Sequence, residues 1–420
     1  MEIQTKHFII PKTKDIERTL IMRINEGHTY KKYDLLRYYI CQVNADTYEI
    51  DVSFIENSDR MKIYRNIPYE QNNNFVIVNI CPTGVRAEVG GYIADMTTTN
   101  NVLSSIADKV ITHPNCVNGS FLNYMSDNTL YTEGFTLDNF LQNKIALQEV
   151  LQNKIGIIID RGAIDADPEC INEIINTINS YRVIVGINCI GYKITKEPIG
   201  GKSIQMPSGA FSGEVKNPQT MIEAASELIL EGATTIAVTT HIEIDNLERD
   251  LDKYFKGELA NPFGGTEALI SHTISRIFGI PCAHAPVLSK KEKDYYASVG
   301  VVDPRASSEI VSASYTGCIL KGLNKAPQIG NSGITLSDVK AIIIPSGCCG
   351  GTPALMSQKW GIPLIAVKEN KTVLDVTPEK MGINAIIVEN YWEAIGVVAA
   401  LKAGINIDSL RRPIKSIGEI

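Results

Sequence analysis

The sequence predicts an α/β protein in which largely parallel sheets are flanked by helices, joined to a small N-terminal α+β domain. Short, strongly apolar segments alternate with helical ones along most of the chain, and this alternation is typical of parallel sheets with crossover helices. Glycine-rich turns follow several of the apolar segments, an arrangement typical of strand ends that meet a ligand. The third observation is an internal similarity, which indicates β-loop-α-β repeats.

Length and composition bound the class of protein. The chain has 420 residues, 44% hydrophobic and 21% charged, enough for a sizeable core and for more than one domain. A formal net charge of −7 provides no basic field, so we expect no binding to nucleic acid or to a membrane. Nine cysteines without a CxxC pair, no signal peptide and no long apolar run favour a cytoplasmic protein.

Residues 1–72 are predicted to form the small N-terminal domain, and residues 73–420 the α/β body. No convergent polar motif stands out in the first part. The stretch Gln71-Asn72-Asn73-Asn74 is predicted to be the linker. The segments of the N-terminal domain are two strands and a helix, over 7–10, 48–54 and 15–25.

The body continues the alternation of strands and helices. Gly200-Gly201 and the stretch Met206–Gly213 are predicted to form a long flexible loop that could serve as a lid. The predicted strands are 75–80, 110–113, 155–159, 183–187, 235–239 and 341–345, and the predicted helices are 99–108, 168–180, 218–231, 303–314 and 391–403.

The internal similarity is best in two places. The pattern GGTxALxS at 264–271 returns at 350–357, and the apolar-Gly-Ile-Pro pattern at 278–281 returns at 360–363. We therefore expect three repeats, at about 75–118, 258–288 and 340–371, the first being the weakest match. Aligned with one another, the repeats place three hydroxyls and three potential bases in approximate register: Thr97, Ser271 and Ser357, and His113, His284 and Lys368.

That register points to an activated nucleophile. A serine needs a neighbouring base, and His284 or Lys368 is expected to supply it to Ser271, with Glu267 orienting the base. Glycine-turn N–H groups would hold the developing oxyanion. The competing interpretation is that these serines only bond back to the preceding helical turn. The full set of candidate catalytic residues is Ser271, His284, Lys368, Glu267, His272, His113, Ser357 and Cys349.

Two other chemistries stay open. Cys349, in a glycine turn after a strand, would with Cys81 or the histidines carry out proton transfer, since a helix N-terminus favours a thiolate. A metal site from His113, His272, His284 and Glu267 is chemically possible. However, no HxH or HExxH spacing occurs, and we expect neither a metal nor a cofactor.

The substrate is expected to be small, polar and anionic. The glycine turns match neither the P-loop nor the GxGxxG pattern, whereas Arg86 and Lys368 would clamp a carboxylate. The candidate substrate-binding residues are Gly84, Arg86, Gly90, Gly91, Asn115, Gly264, Gly265, Thr266, Gly350, Gly351 and Asn370.

Many motifs occur in one order: PTGxxAExGGY from Pro82, HPNxxNG from His113, YxEG from Tyr131, GGxEAxISH from Gly264, PCAHAP from Pro281 and KENxTVL from Lys368. Together they resemble a bacterial and plastid domain-of-unknown-function family, number 3326, over about residues 75–420. That resemblance implies a shared fold and site and no particular activity. The short run GGTEALISH also looks like a motif of the cyanuric acid hydrolase and barbiturase group, which are ring-opening amidohydrolases built from three repeats with Ser–Lys pairs.

The sequence therefore favours an enzyme that hydrolyses an amide or cyclic amide of a small anionic metabolite, with a serine nucleophile and a His or Lys base. The alternatives are a cofactor-independent isomerase or lyase that uses Cys or His for proton transfer, and a non-catalytic metabolite-binding protein. A small molecule is the expected partner, and the chain is a possible homo-oligomer.

Overall fold

The structure is a computed structural model that describes residues 1–27, 32–56, 62, 64, 66–68, 74–119, 122–312, 314–414 and 416–419. Residues 71–73 of the predicted linker lie outside the described residues. The helices and strands, numbered along the chain, have the following bounds.

The strands are β1 (Ile3–Pro11), β2 (Tyr33–Val43), β3 (Thr47–Glu56), β4 (Val76–Asn79), β5 (Lys109–Thr112), β6 (Thr129–Tyr131), β7 (Ala146–Gln148), β8 (Lys154–Ile159), β9 (Asn188–Ile194), β10 (Gly201–Gln205), β11 (Phe211–Val215), β12 (Thr235–Thr240), β13 (Ile242–Glu243), β14 (Cys282–Pro286), β15 (Gln328–Gly330), β16 (Val339–Pro345), β17 (Leu364–Val367) and β18 (Ile386–Val388). The α-helices are α1 (Ile16–Asn25), α2 (Thr97–Ile106), α3 (Pro114–Val117), α4 (Gly134–Leu141), α5 (Arg161–Ala166), α6 (Cys170–Ile184), α7 (Pro218–Leu230), α8 (Leu247–Phe255), α9 (Gly264–Phe278), α10 (Lys290–Ser298), α11 (Ser307–Val311), α12 (Thr316–Asn324), α13 (Thr352–Trp360), α14 (Pro378–Met381) and α15 (Tyr391–Lys402).

Two parallel sheets form the centre of the body, as the alternation predicted. The larger has the order β6-β5-β4-β16-β17-β18, and the smaller has the order β14-β12-β8-β9. All neighbouring strands in both sheets run parallel. In the larger sheet the chain proceeds outward from β4 on one side and from β16 on the other. The β4/β16 junction is therefore a topological switch point, where parallel sheets bind ligands.

A third sheet mixes the N-terminal strands with strands of the body, in the order β13-β10-β11-β1-β3-β2. The predicted long loop is wrong, because Gly201 begins β10 and residues 211–213 belong to β11, which pairs with β10 as an antiparallel hairpin. Only residues 206–210 of the predicted stretch lie outside the strands, as the turn of that hairpin. The two strands were not predicted because most of their residues are polar or have short side chains, although Phe211 and Ser212 are buried. The predicted boundary between residues 72 and 73 stays a prediction, and β1 pairs with β11 across it.

The predicted strand at 183–187 is also wrong. Helix α6 continues to Ile184, and the strand of this region is β9. Val183 and Ile184 are exposed, so this apolar run reflects no burial. Gly186 follows with a φ of 75°, a left-handed conformation that ends helices.

The three expected repeats differ in structure. The first and third are β-loop-α-β units, β4-α2-β5 and β16-α13-β17, which lie side by side in the larger sheet. In the second, α8 and turn residues precede α9, so among the described residues no strand opens the unit. The second and third share a local ending, since Gly279 and Gly361 have φ values of 66° and 67°. A common duplication stays a prediction.

Helix α9 lies at the centre of the molecule. It packs on β11, β14 and α4, and most of its residues are buried. Gly265 permits the close approach to β11, since a Cβ there would lie 2.4 Å from the carbonyl oxygen of Phe211. Helix α9 therefore lies between β11 of the mixed sheet and β14 of the smaller parallel sheet.

Candidate functional site

A cleft of about 620 Å³ lies where the carboxyl ends of strands from both parallel sheets meet. The loops after β4, β5 and β6 contribute Thr83, His113 and Glu133, and β14 contributes His284. The opposite wall comes from α9, α11 and α12. Among the described residues that line this cleft, none is Lys or Arg, so its charge comes from carboxyl groups.

A chain of three side chains crosses the wall of the cleft. Glu267 Oε1 lies 3.2 Å from Nδ1 of His284, and Nε2 of His284 lies 2.6 Å from Oγ1 of Thr240. The side chain of Glu267 is 17% exposed and that of His284 is 1% exposed, while Thr240 is fully buried. The carboxylate is thus the member that reaches the cleft, and the imidazole and the hydroxyl hold it from behind. The sequence predicted Glu267 and His284 as partners and missed Thr240, which directly follows a predicted strand.

Two further carboxyl groups line the cleft. Burial and, to a smaller extent, the charge of Glu267 together raise the pKa of Glu309 to about 8. Burial also raises the pKa of Glu133 well above its usual value. Neither oxygen of Glu133 receives a well-formed hydrogen bond from a described residue, although the hydroxyl of Ser271 and the thiol of Cys282 lie near enough to lower its pKa in part. The raised pKa of Glu309 favours its protonated form at neutral pH.

His113 adds a neutral donor. Burial lowers its pKa to about 4, and the positive charge of Arg37 acts in the same direction. Its Nδ1 accepts the backbone N–H of Asn115 at 3.4 Å, so the ring hydrogen belongs on Nε2. Asn115 in turn donates to Oγ1 of Thr83 at 3.3 Å. The strand end that the sequence marked by His113 and Asn115 does form part of the cleft.

Ser271 lies in the cleft without the expected base. Its Oγ donates to the backbone carbonyls of Glu267 and Ala268, both at 3.3 Å. Both ring nitrogens of His284 are engaged by Glu267 and Thr240. The expected hydrogen bond from Ser271 to His284 is therefore not formed, and the serine bonds back to its own helix.

A second pocket of about 980 Å³ adjoins the cleft at the β4/β16 switch point. The two share Thr83, His113 and Ala268. Arg37 of β2 lines it, and among the described residues its guanidinium has no ion pair or hydrogen bond. The guanidinium lies 5.9 Å above the ring of Tyr39, and Asp138 of the same pocket and Asp51 act on it electrostatically. Burial lowers the pKa of Arg37, which still leaves it charged. Arg37 was not predicted as a site residue, because a single arginine in a strand has no distinctive pattern.

The remaining candidate catalytic residues lie elsewhere, so the expected convergence is wrong for them. Lys368 is half exposed and pairs with Glu389 at 2.7 Å. Ser357 is buried and donates to the carbonyl of Ala354 at 2.7 Å. His272 follows Ser271 but points to the second pocket. Cys349 is fully buried, and burial raises its pKa to about 12, so the expected thiolate is not formed.

Gly264 and Asn115 line the cleft, and Gly350 and Gly351 line the second pocket. The other candidate binding residues have structural contacts instead. The Asn370 side chain accepts from the backbone N–H of Val89 and donates to the carbonyl of Val89 and to the hydroxyl of Tyr391. Thr266 bonds to the carbonyl of Lys202, and Arg86 pairs with Glu88 at 3.8 Å. Gly84, Gly90, Gly91 and Gly265 lie so close to neighbouring atoms that a Cβ at any of these positions would collide with them.

The metal set considered from the sequence does not assemble. In the described part of the chain, His113, His272, His284 and Glu267 do not bring three ligand atoms within 4.8 Å of one another. His272 faces the second pocket, and His284 is enclosed by Glu267 and Thr240. None of the helices that the structure describes has both the length and the apolar composition of a membrane span.

Comparison with known proteins identifies the family. The model of the family "Protein of unknown function (DUF3326)" matches residues 76–411. An uncharacterized lipoprotein of Synechococcus sp. is 32% identical over 335 residues, which cover 78% of this chain and 91% of that protein. A rubisco-like protein from Burkholderia fungorum aligns at 8% identity over 97% of this chain and 96% of that one, but its TM-score of 0.15 carries no argument. The likeness to barbiturases is not confirmed by these matches. The chain belongs to the DUF3326 family, as the ordered motifs from Pro82 to Leu374 predicted.

Proposed function

We propose that the protein is an enzyme that transfers protons on a small polar molecule, as an isomerase or lyase whose acid and base are its own carboxyl groups. The observation that carries this proposal is the pairing, in one cleft, of Glu267 with Glu309. Glu267 is backed by His284 at 3.2 Å, and the pKa of Glu309 is raised to about 8. Two carboxyl groups with unlike environments are the usual division into base and acid.

Glu267 is the proposed base. It reaches the cleft, and the His284–Thr240 pair behind it fixes its orientation. Glu309, protonated at neutral pH, returns a proton to the substrate. The Nε2–H of neutral His113 donates to an oxygen on which negative charge develops.

The proposed substrate has an anionic end. Arg37 offers a guanidinium without an ion pair to any described residue, in the pocket that joins the cleft at Thr83 and His113. A carboxylate or phosphate is the natural partner of such a group. The carboxyl-rich cleft would then receive the neutral or cationic part of the molecule. Arg37 thus takes the role that the sequence had given to Arg86 and Lys368.

Hydrolysis of an amide or cyclic amide is the second candidate. It is supported by the position of Ser271 in the same cleft, facing Glu133. The serine would need Glu133 as its base, and that carboxyl would first have to ionise against its raised pKa. This requirement makes hydrolysis the weaker proposal. A non-catalytic metabolite-binding protein would use the same pockets.

The test is solvent exchange. Small hydroxy-, keto- and amino-carboxylates and sugar phosphates are incubated with the protein in D₂O, and deuterium incorporation is followed by NMR. We expect exchange that Glu267→Gln lowers by about 10²–10⁴-fold, whereas Ser271→Ala and the surface control Glu231→Gln retain it.

Full exchange in Glu267→Gln would refute the proposed base. Ring opening of a cyclic amide that disappears in Ser271→Ala would favour the hydrolase instead. Ligands that raise the melting temperature with neither exchange nor turnover would favour the binding protein. Arg37→Gln should raise KM for the anionic substrate and change kcat less, because Arg37 lies away from the carboxyl pair.

The cytoplasm remains the proposed compartment, supported by nine free cysteines. The lipoprotein name of the Synechococcus protein makes a membrane-anchored protein the alternative, and cell fractionation distinguishes them. Absence of nucleic-acid binding, absence of membrane association and a possible homo-oligomer are proposed as well. Light scattering after gel filtration gives the oligomeric state.

A further inference from the structure

Three potential metal ligands converge on the N-terminal part of the mixed sheet, away from the proposed active site. His7, Cys41 and Asp51 come from β1, β2 and β3. His7 and Asp51 are direct cross-strand partners, and the register between β2 and β3 shifts at Cys41. Such a shift changes the direction of a side chain. In the described part of the chain, this is the group whose three ligand atoms all lie within 4.8 Å of one another.

We propose that His7, Cys41 and Asp51 bind one divalent transition-metal ion of the zinc class. The thiolate, imidazole and carboxylate set is one that zinc accepts, with a fourth position left for water. Nδ1 of His7 lies 2.8 Å from Oδ1 of Asp51 and 3.9 Å from Sγ of Cys41. An ion with bonds of ~2.0–2.3 Å would hold these atoms about 3.3–3.8 Å apart, and because all three ligand atoms lie within 4.8 Å of one another, adjustments of up to about 1 Å suffice.

The atoms around the three ligands have the arrangement that supports a metal site. The second ring nitrogen of His7, Nε2, lies 3.2 Å from Oε2 of Glu49, and metal-bound histidines usually donate their other N–H to a carboxylate. Ser208 donates to Oδ2 of Asp51 at 2.7 Å, which leaves Oδ1 directed at His7. His7 and Asp51 are therefore each oriented by a second partner through the atom that would not bind the ion.

The electrostatics of the cluster also favour a cation. Asp51 is 1% exposed, and Glu49 lies beside it. A divalent ion offsets the charges of these two carboxylates, and on binding it displaces the thiol proton to solvent. The 19% exposure of the His7 side chain gives the ion access.

A simpler account treats the cluster as His7 hydrogen-bonded between two carboxylates. It explains the positions of Asp51 and Glu49, but assigns no role to Cys41, whose thiol contacts the backbone carbonyl of Glu49 at 3.2 Å and Nδ1 of His7 at 3.9 Å. The two accounts differ in whether Cys41 matters for binding. An experiment that reads the thiolate directly therefore decides between them.

Protein stripped with a chelator is titrated anaerobically with Co²⁺. We expect one ion per chain and a thiolate-to-cobalt charge-transfer band in the near ultraviolet, which one equivalent of Zn²⁺ removes. Cys41→Ser should lose the band, and Glu49→Gln should weaken binding by about 10–100-fold. The half-buried Cys189 provides the matched control, so Cys189→Ser should keep the band. Circular dichroism of the stripped variants checks that they fold.

No charge-transfer band in the wild type, or a band that survives in folded Cys41→Ser, would overturn the proposal. If Cys41→Ser fails to fold, folded His7→Ala serves in its place, and an unchanged affinity for Co²⁺ in that variant has the same meaning. These outcomes do not depend on the catalytic proposal, because Glu267→Gln leaves all three ligands in place.

Discussion

Replacing Glu309 by glutamine tests the protonated carboxyl on which the proposed chemistry depends. Burial raises the pKa of this group from 4.5 to about 8. Between those two values the native state holds a proton that the unfolded chain has released, so stability falls as pH rises. Each pH unit in that window costs about 1.4 kcal/mol. Between about pH 5 and about pH 8 the wild type should therefore lose roughly 3 kcal/mol through Glu309 alone.

Glu309→Gln cannot ionise and should escape that loss. Urea unfolding followed by circular dichroism at both pH values gives the four midpoints needed. We expect the difference in stability between variant and wild type to move in favour of the variant as pH rises, by roughly 3 kcal/mol. The exposed Glu231→Gln should show no such change. Parallel pH profiles for Glu309→Gln and the wild type would show that Glu309 is ionised in the native state, and the proposed acid would lose its support.

Three other changes check the position of the site. Gly264→Ala places a Cβ 2.5 Å from Cγ2 of Thr83 and should lower the free energy of unfolding in urea by about 1–3 kcal/mol. The control Gly396→Ala, whose Cβ would have nothing within 4 Å, should raise that free energy by about 0.5–1 kcal/mol. Equal effects of the two substitutions would contradict the packing of α9. Lys368→Ala should leave the exchange activity and melting temperature unchanged, since the lysine is half exposed and outside the cleft, and a large loss of activity would return it to the site. Iodoacetamide applied to the native protein should leave Cys349 unmodified by mass spectrometry, because the thiol is fully buried; rapid modification would restore a cysteine mechanism.

Much of the body was predictable because burial leaves a local pattern. The apolar runs of β4, β8 and β16 gave strands in parallel sheets, and the terminal helix was expected at 391–403 and observed as α15. Failures occurred where the local pattern was weak or misleading. The β10–β11 hairpin has few large apolar residues, and the apolar end of α6 is exposed.

The site was partly predictable for a different reason. Glu267 and His284 lie in one short unit, so their proximity follows from the chain itself. Ser357 and Lys368 were added through alignment of repeats. The strands of the third unit, however, belong to the larger sheet, whereas β14 belongs to the smaller one, so equivalent positions are not neighbours. Arg37 reaches the second pocket from the N-terminal strands, which no local pattern indicates.

The sequence by itself determined the family, the α/β class and the strand ends at which polar groups would be found. These follow from residue order and from the periodicity that burial imposes on neighbouring residues. Only the tertiary structure decided which strand ends meet: it joined β4 to β16, brought β14 to the ends of β5 and β6, and gathered His7, Cys41 and Asp51 on three strands. The physical reason is that strand order and register depend on contacts between distant segments, whereas sequence patterns report the surroundings of each segment alone.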